Sequence, residues 1–532
     1  MNLCEVVVRL CRDVNISIFF GVPGIHNLPI YAALNKLETK LYTTRHEQSA
    51  AFMADGYARA TGKVAGCVLI DGPGFLNAAT AIGQANADSI PMVVLTPCFD
   101  SKRTGVLHQL PGQGRISREL CRTHIRLTEE VSPETIGFQL QNHLSHKRPG
   151  VLHIEIPMTL FDRQTDFSFE FREDQVVPEQ NDGIVQAKNF LQQANTTLII
   201  AGGGSLSAVR EIQQLAETID APVVNTTASK GILPLDHPLR VGASPSLPEV
   251  RQFIELADAV VAVGTELGET DFDFFLTGKE LDIKQLIRID IDPSQLHANV
   301  RADLPIRGLA KDVISGLYLT KEAVNSGAER VGALSTLIQK NRFYDTRMRD
   351  FLSVIQDRTD VLVGDSAQPN YFALWLYEPR FPRSYFHSVT GFGTLGYGIP
   401  AAIGAKIGRL KDRVACLIGD GGAGYTLAEV QTATQFELNI PFIIWNNYGF
   451  KEIDKAVSVE SSSRYYDSPR PPCYRALTDA FGMEYSFPQN LAELDSALEM
   501  AFSRSCPTII EVEESRFVDS VSWENWFKEP LS

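Results

Sequence analysis

The most informative string in the chain is Gly419-Asp420-Gly421, which follows the apolar run Val414 to Ile418. After 24 intervening residues stands Asn446-Asn447, directly after a second apolar run, Phe442 to Trp445. In an open parallel sheet ligands sit at the carboxyl ends of the strands, so both strings fall where a ligand would lie. Glycine lets the main chain approach a phosphate closely. A carboxylate and an amide oxygen are hard donors suited to Mg²⁺, which usually keeps phosphate oxygens in its octahedron. Asp420 and Asn447 are therefore a candidate pair for one diphosphate-bound Mg²⁺. A bare Gly-Asp-Gly is common in turns; its position after a strand, with the spaced Asn-Asn, is what gives it weight.

The elements that must position these groups follow an alternating rhythm. Strand-like runs at Ile16–Phe20, Val64–Ile70, Met92–Thr96 and Val151–Ile156 are separated by helical patterns such as Ser49–Arg59 and Asn77–Ala87, which is the βαβ pattern of a parallel sheet. The polar stretch from Arg163 to Asp182 reads as a linker. After it the pattern resumes at Thr197–Ala201, Ala259–Val263 and Leu286–Asp290. A charged helical connector, Ala323 to Asp357, leads to a third series at Val361–Val363, Val414–Ile418, Phe442–Trp445 and Thr508–Val512. The expectation is an α/β protein of three consecutive doubly wound parallel-sheet domains, at residues 1–165, 183–325 and 345–532. Gly202-Gly203-Gly204 follows a strand but lacks the GxGxxG spacing of a dinucleotide loop.

Composition narrows the function classes. The chain has 532 residues, 44% hydrophobic and 21% charged, which is an ordinary globular mixture. Forty-nine basic against 64 acidic residues leave a net charge of −15, a field that repels phosphate backbones and anionic membranes. No nucleic-acid or membrane partner is expected. The eight cysteines are scattered without CxxC pairs and read as reduced thiols. Glu5, Arg9, Arg12 and Asp13 interrupt the first apolar stretch, so a signal peptide is not expected and a cytoplasmic location is.

The pair Gly419-Asp420-Gly421 and Asn446-Asn447 resembles the fingerprint of thiamine diphosphate enzymes, and Gly391 to Gly404 (GFGTLGYGIPAAIG) is similar to their GLGxMGxGLPAAIGA segment. Gly21 to Gly24 (GVPG), Arg45-His46-Glu47, Ala54 to Arg59 (ADGYAR) and Gly72-Pro73-Gly74 resemble the pyrimidine-binding domain of the acetolactate synthase and benzoylformate decarboxylase group. Lys230 to Pro238 (KGILPLDHP) and Asp290-Ile291-Asp292 resemble its central domain. The resemblance covers almost the whole chain, in the family's order.

It implies that Glu47 is the carboxylate that hydrogen-bonds the cofactor's pyrimidine and so activates its 4′-amino group, although a helix-start glutamate is also favoured by the helix dipole. It implies that Leu395 is the apolar wedge bending the cofactor, where relatives often have methionine and where plain core packing is the other reading. The Gly393 carbonyl would accept from the 4′-amino group. Asp420, Asn447 and the Gly449 main-chain oxygen would ligate Mg²⁺. Gly421 and Gly72 lie in the cofactor-binding turns, and Gln368 would contact the diphosphate, or else be a surface amide. His26 and His108 would act as proton donors or carboxylate binders; neither has a carboxylate partner visible in sequence. FAD is not expected, because Val263 to Asp271 (VGTELGETD) is acidic where flavin-binding relatives carry arginine.

The implied function is decarboxylation of a small-molecule 2-oxo acid, after which the enamine is protonated to an aldehyde or ligated to a second carbonyl. The alternative is an acetolactate synthase-like carboligase. The loop Asn446 to Ile453 (NNYGFKEI) lacks residues familiar from acetolactate synthases. Together with Phe52 to Tyr57 (FMADGY) and the VGTELGETD stretch it looks more like 5-guanidino-2-oxopentanoate decarboxylases. Glu452 or Asp454 would then face a guanidinium, unless each merely forms a surface salt bridge. A catalytically dead regulatory relative is disfavoured by the retention of Glu47, Asp420 and Asn447. A dehydrogenase would need a GxGxxG at its first strand, which is missing. The family's sites are shared between subunits, which implies a dimer at least and commonly a tetramer. The aromatic tail from Phe517 to Ser532 would be a lid or an interface seal.

Overall fold

The structure, a computed structural model, describes residues 1–99, 107–108, 110–145, 147–165, 169, 171, 181–272, 281–318, 326–341, 346–460 and 466–518. Three six-stranded sheets account for its strands. The first holds β1 (Ile18–Gly21), β2 (Lys40–Thr43), β3 (Ala65–Val68), β4 (Met92–Cys98), β5 (Thr123–Arg126) and β6 (Val151–Pro157), in the order β2-β1-β3-β4-β6-β5. The second holds β7 (Thr197–Ala201), β8 (Val223–Asn225), β9 (Arg240–Val241), β10 (Ala259–Val263), β11 (Leu286–Asp290) and β12 (Leu304–Arg307), in the order β12-β11-β10-β7-β8-β9. The third holds β13 (Val361–Gly364), β14 (Tyr385–Phe386), β15 (Val414–Gly419), β16 (Pro441–Asn446), β17 (Glu484–Ser486) and β18 (Thr508–Glu513), with β15 and β16 central in the run β13-β15-β16-β18-β17. The α/β architecture is the one the alternating pattern implied. Every strand expected from an apolar run is present, its ends displaced by at most two residues. The remaining strands, such as β2 with its half-exposed KLYT, are short and lie away from the sheet centres, where one covered face needs no continuous apolar run.

The chain forms two compact units. One comprises residues 174–360, 371–386 and 517–532 and contains the second sheet. Successive residues of β7 point to opposite faces: Ile199 and Ala201 join one buried cluster, Leu198 and Ile200 the other. Both faces are thus apolar and covered by helices. The triple glycine after β7 has a packing explanation, since a Cβ on Gly202 would lie 2.3 Å from the Gly264 carbonyl oxygen, and one on Gly264 would lie 2.5 Å from the Gly204 Cα. Most of the aromatic tail lies outside the described residues.

The other unit comprises residues 1–173, 361–370 and 387–516, and so contains the first sheet and most of the third. Its centre is a helix pair, Glu47–Thr61 and Gly398–Gly408. A Cβ on Gly56 would stand 2.1 Å from the Ala401 carbonyl oxygen, and one on Gly404 would stand 1.9 Å from that of Met53, so the two backbones touch. Beside this contact the fully buried Asp55 accepts from Arg59 Nε (2.6 Å) and from the Tyr397 hydroxyl (2.5 Å). The ADGYAR string is therefore a packing device: glycine for the approach, and an i,i+4 ion pair to compensate the buried charge. No helix among the described residues is long and apolar enough to cross a membrane.

A second polar network lies inside the first sheet. Gln113 Oε1 accepts from the Gly72 amide (2.8 Å), so its Nε2 donates, to Glu155 Oε1 (2.9 Å) and Thr96 Oγ1 (3.2 Å). Thr96 Oγ1 and Ser117 Oγ each stand 2.8 Å from a ring nitrogen of His153, Nε2 and Nδ1 respectively. His124 Nε2 stands 3.0 Å from Glu155 Oε2. His124, His153 and Glu155 gather ligand-type atoms within 4.8 Å of one another, but both nitrogens of His153 are already engaged and the cluster is a hydrogen-bonded core.

Two outcomes follow. Gly404→Ala should cost about 3 kcal/mol in chemical denaturation, because the clash is with backbone that cannot swing away, whereas Gly332→Ala, on an exposed helix face with nothing within 4 Å, should be neutral or stabilising by about 0.5–1 kcal/mol. Equal stabilities would refute the backbone contact. Burial holds the His153 imidazole neutral down to a pKa of about 3. Its folded pKa is thus below the unfolded value, and the stability it contributes is present above about pH 6.5 and is lost as the pH falls toward 3. Its share of the loss between pH 7.5 and pH 5 is about 2 kcal/mol, and His153→Gln should flatten the denaturation midpoint–pH curve by that amount.

Candidate active site

The strands β15 and β16 are parallel neighbours with Gly419 opposite Trp445, so Asp420 and Asn447 emerge at the same end of the third sheet. Asp420 begins the short helix Asp420–Thr426 and is 4% exposed. Its Oδ2 accepts from the Gly449 amide at 2.8 Å, and the Asn447 amide stands 3.5 Å from Oδ1. Burial outweighs these hydrogen bonds and pushes the Asp420 carboxyl up to about 6. Asn447 uses its Nδ2 twice, on Gln368 Oε1 (3.0 Å) and Glu514 Oε2 (2.9 Å). Its Oδ1 accepts no hydrogen bond among the described residues.

Gly449 has φ +128°, and a Cβ there would sit 2.1 Å from Ser468 Oγ, so only glycine serves. The Gly449 carbonyl oxygen lies 3.7 Å from where a Gly421 Cβ would be. A buried carboxylate, a free amide oxygen and a main-chain carbonyl form an all-oxygen set, which fits Mg²⁺ and does not fit a soft metal. Gln368 is 3% exposed; the surface-amide reading is corrected. Its Nε2 donates to Glu452, while Asp454 accepts from the Tyr466 hydroxyl.

At the carboxyl ends of the first sheet a second group assembles. Glu47 opens the helix Glu47–Thr61, capped by the extended His46, whose Nδ1 accepts from the Gln48 amide at 3.2 Å. Glu47 Oε2 accepts from Asn77 Nδ2 at 3.0 Å. Glu47 Oε1 lies 3.4 Å from where a Gly74 Cβ would be. The residues before it are fixed to the third-sheet segment: the amides of Arg45 and His46 donate to Glu429 Oε1 (2.9 and 3.1 Å), and the Arg45 guanidinium donates to Thr432 Oγ1 (2.9 Å) and Gln435 Oε1 (2.8 Å). The arginine of the Arg-His-Glu string thus anchors the start of the catalytic-candidate helix.

Gly72 has φ +63°, and its missing side chain makes room for the His108 carbonyl oxygen, 2.3 Å from the position of a Cβ. The His26 and His108 rings meet edge-on at 5.3 Å. His26 Nδ1 stands 3.3 Å from Asp71 Oδ1. The sequence shows no carboxylate partner for His26; the structure supplies Asp71, shortly after the adjacent strand β3. Burial raises the Asp71 carboxyl above its ordinary value in spite of His26.

The turn between these two groups carries Gly393, with φ +64° and an exposed carbonyl region that accepts from Ser366 Oγ at 3.1 Å. Leu395, partly exposed, follows it. No hydrogen bond joins Glu47 to the Asp420 group among the described residues. The residues that sequence reasoning missed are Asp71, Asn77, Gln84, Gln113, Glu429 and Glu514, and no motif marks any of them.

Comparison with known proteins agrees with this geometry. Residues 1–119 match the thiamine pyrophosphate enzyme N-terminal TPP binding domain, residues 184–317 the central domain, and residues 365–512 the C-terminal TPP binding domain. A probable 2-ketoarginine decarboxylase, AruI, of Pseudomonas aeruginosa is 35% identical, over 96% of this chain and 93% of its own. A probable acetolactate synthase large subunit of Methanocaldococcus jannaschii is 29% identical over 84% and 80%. The acetolactate synthase isozyme 3 large subunit of Escherichia coli is 29% identical over 93% and 92%. With all three domain types in order and the cofactor motifs seated at the strand ends, the chain belongs to the thiamine pyrophosphate enzymes.

Proposed function

We propose that the protein is a thiamine diphosphate- and Mg²⁺-dependent decarboxylase of a 2-oxo acid bearing a guanidino group, releasing CO₂ and an aldehyde. The observation that carries the cofactor assignment is the buried oxygen set of Asp420, Asn447 and Gly449, whose charge calls for a cation. The name of the Pseudomonas aeruginosa relative supports the substrate class. Thiamine diphosphate, when bound, would supply a carbon acid whose conjugate base is a nucleophile for a 2-oxo carbonyl and an electron sink for the pair released with CO₂. The chain's own groups do the rest. Asp420, Asn447 and Gly449 hold the metal, while Gly421 and Gln368 line the diphosphate.

Glu47, kept in place by Asn77, holds the proton at the aminopyrimidine; the Gly393 carbonyl orients that ring and Leu395 supports it. Gly72 seats the loop that carries His108. The His26–Asp71 pair, with His108, holds the substrate carboxylate or moves a proton to the product. Glu452, adjoining the diphosphate end through Gln368, is the better placed carboxylate for a guanidinium.

The reading includes a homodimer or tetramer, supported by the lack of any hydrogen bond between Glu47 and the Asp420 group among the described residues and by Ile25, Leu107 and Phe392, left 83%, 70% and 56% exposed. It includes a reducing, cytoplasmic setting, supported by the eight cysteines, none of which forms a disulfide among the described residues. A carboligase is the second reading, favoured by the acetolactate synthase relatives.

The test is CO₂ release from small, branched, aromatic and guanidino 2-oxo acids, with products analysed in the presence and absence of an added aldehyde. Turnover should be greatest with the guanidino acid and should yield free aldehyde; a coupled hydroxyketone would establish the carboligase instead. Glu47→Gln should lower kcat by about 10²–10⁴ while thiamine diphosphate still binds. Asp420→Asn, or chelation of Mg²⁺, should abolish cofactor binding measured by fluorescence quenching. Cofactor binding unaffected by chelation would overturn the metal assignment.

A further inference from the structure

The helix Pro73–Ala87 contacts both Glu47 and the turn that carries Gly393. Near its start Asn77 donates to Glu47. Near its end stands Gln84, with 0% exposure. The Gln84 amide makes four hydrogen bonds: Nε2 donates to the Thr390 carbonyl (2.7 Å) and to Asp88 Oδ2 (2.8 Å), and Oε1 faces the Phe392 amide (3.2 Å) and the Thr394 hydroxyl (3.3 Å). Both donors and both acceptor positions are filled, so the amide has only one satisfied orientation. Three of the four partners lie on the turn from Thr390 to Thr394. The fourth, Asp88, accepts from the Thr390 hydroxyl (2.9 Å) and from Arg59 (2.5 Å). Packing agrees: a Cβ on Gly83 would strike the Phe392 ring at 2.3 Å, and one on Gly391, where φ is +71°, would lie 2.7 Å from Gln84 Nε2.

We infer that Gln84 is a positioning residue: it clamps the turn Thr390–Thr394 and thereby sets the aim of the Gly393 carbonyl and the height of the Leu395 side chain. The inference rests on the reading of Gly393 and Leu395 as cofactor contacts. A glutamine that merely filled the helix interface would gain from replacement by an apolar side chain of the same length, since a buried amide is favourable only while it is bonded. Here Gln84→Met should keep the helix packing. The polar groups it abandons belong to a turn whose residues Gly391, Phe392 and Gly393 are exposed, so water can satisfy them. The turn should loosen while the fold persists.

The experiment compares the full-length wild type, Gln84→Met and Gln84→Glu, the last placing a carboxylate oxygen against Asp88 and the Thr390 carbonyl. Amide hydrogen exchange across residues 388–397 should accelerate about tenfold or more in both variants, with the thermal midpoint of Gln84→Met close to that of the wild type. Thiamine diphosphate with Mg²⁺ should bind about tenfold more weakly. Where a 2-oxo acid is turned over, kcat should fall by about tenfold or more with KM little changed. Unchanged exchange across the turn, or a general loss of stability with cofactor affinity preserved, would overturn the inference. Loosened exchange with wild-type cofactor affinity would overturn the link to Gly393 and Leu395 instead. Cofactor binding by a wild type that turns over no 2-oxo acid would sink the substrate reading alone, and the exchange and affinity measurements would still decide Gln84.

Discussion

The approach of two helices at Gly56 and Gly404 underlies the rest of the unit that holds the candidate site. With Cβ positions about to overlap carbonyl oxygens of the opposite helix, the helices Glu47–Thr61 and Gly398–Gly408 lie closer than side chains would allow. That proximity brings Asp55, itself paired with Arg59, within hydrogen-bonding reach of Tyr397. Because Glu47 begins one helix and the Gly391–Tyr397 turn leads into the other, the contact that packs the unit also determines where the chemistry-bearing ends lie. Interiors of this density transmit small displacements rather than absorb them.

Electrostatics add a second constraint. Asp365 and Asp420, at the ends of β13 and β15, are both pushed up to about 6 by burial. Asp365 is compensated by main-chain donors, among them the amides of Ser366 (2.7 Å) and Gly398 (3.0 Å), and so ties the start of the Gly398–Gly408 helix to β13. Asp420 likewise accepts from main-chain amides, those of Gly449 (2.8 Å) and Asn447 (3.5 Å). Asp365 thus holds a helix to its strand, and Asp420 holds the turn after β16 to the end of β15. Parallel topology explains why both lie at one edge, since right-handed crossovers deliver every strand to the sheet in the same direction.

Glycines do two kinds of work in this unit. Gly72 and Gly449 occupy positive-φ positions whose missing side chains leave room for the His108 carbonyl and for Ser468. Gly56 and Gly404 sit in ordinary helical geometry and permit approach between helices. The first kind is a backbone requirement and the second a packing requirement.

The amino-acid sequence by itself determined the strands that are apolar along their length, because burial on both faces leaves a continuous local run. It also determined the cofactor strings, because Gly-Asp-Gly, Asn-Asn and Arg-His-Glu sit next to element ends that the same local pattern reveals. What only the tertiary structure decided is which groups those strings meet. Asp71 reaches His26 across 45 residues, Gln84 reaches Thr390 across 306, and Glu429 reaches the Arg45 amide across 384. Gln368 could equally have been a surface amide until packing buried it. Such partners carry no periodicity and no fixed spacing, since a hydrogen bond between distant segments exists only once the helices and sheets that carry them have packed.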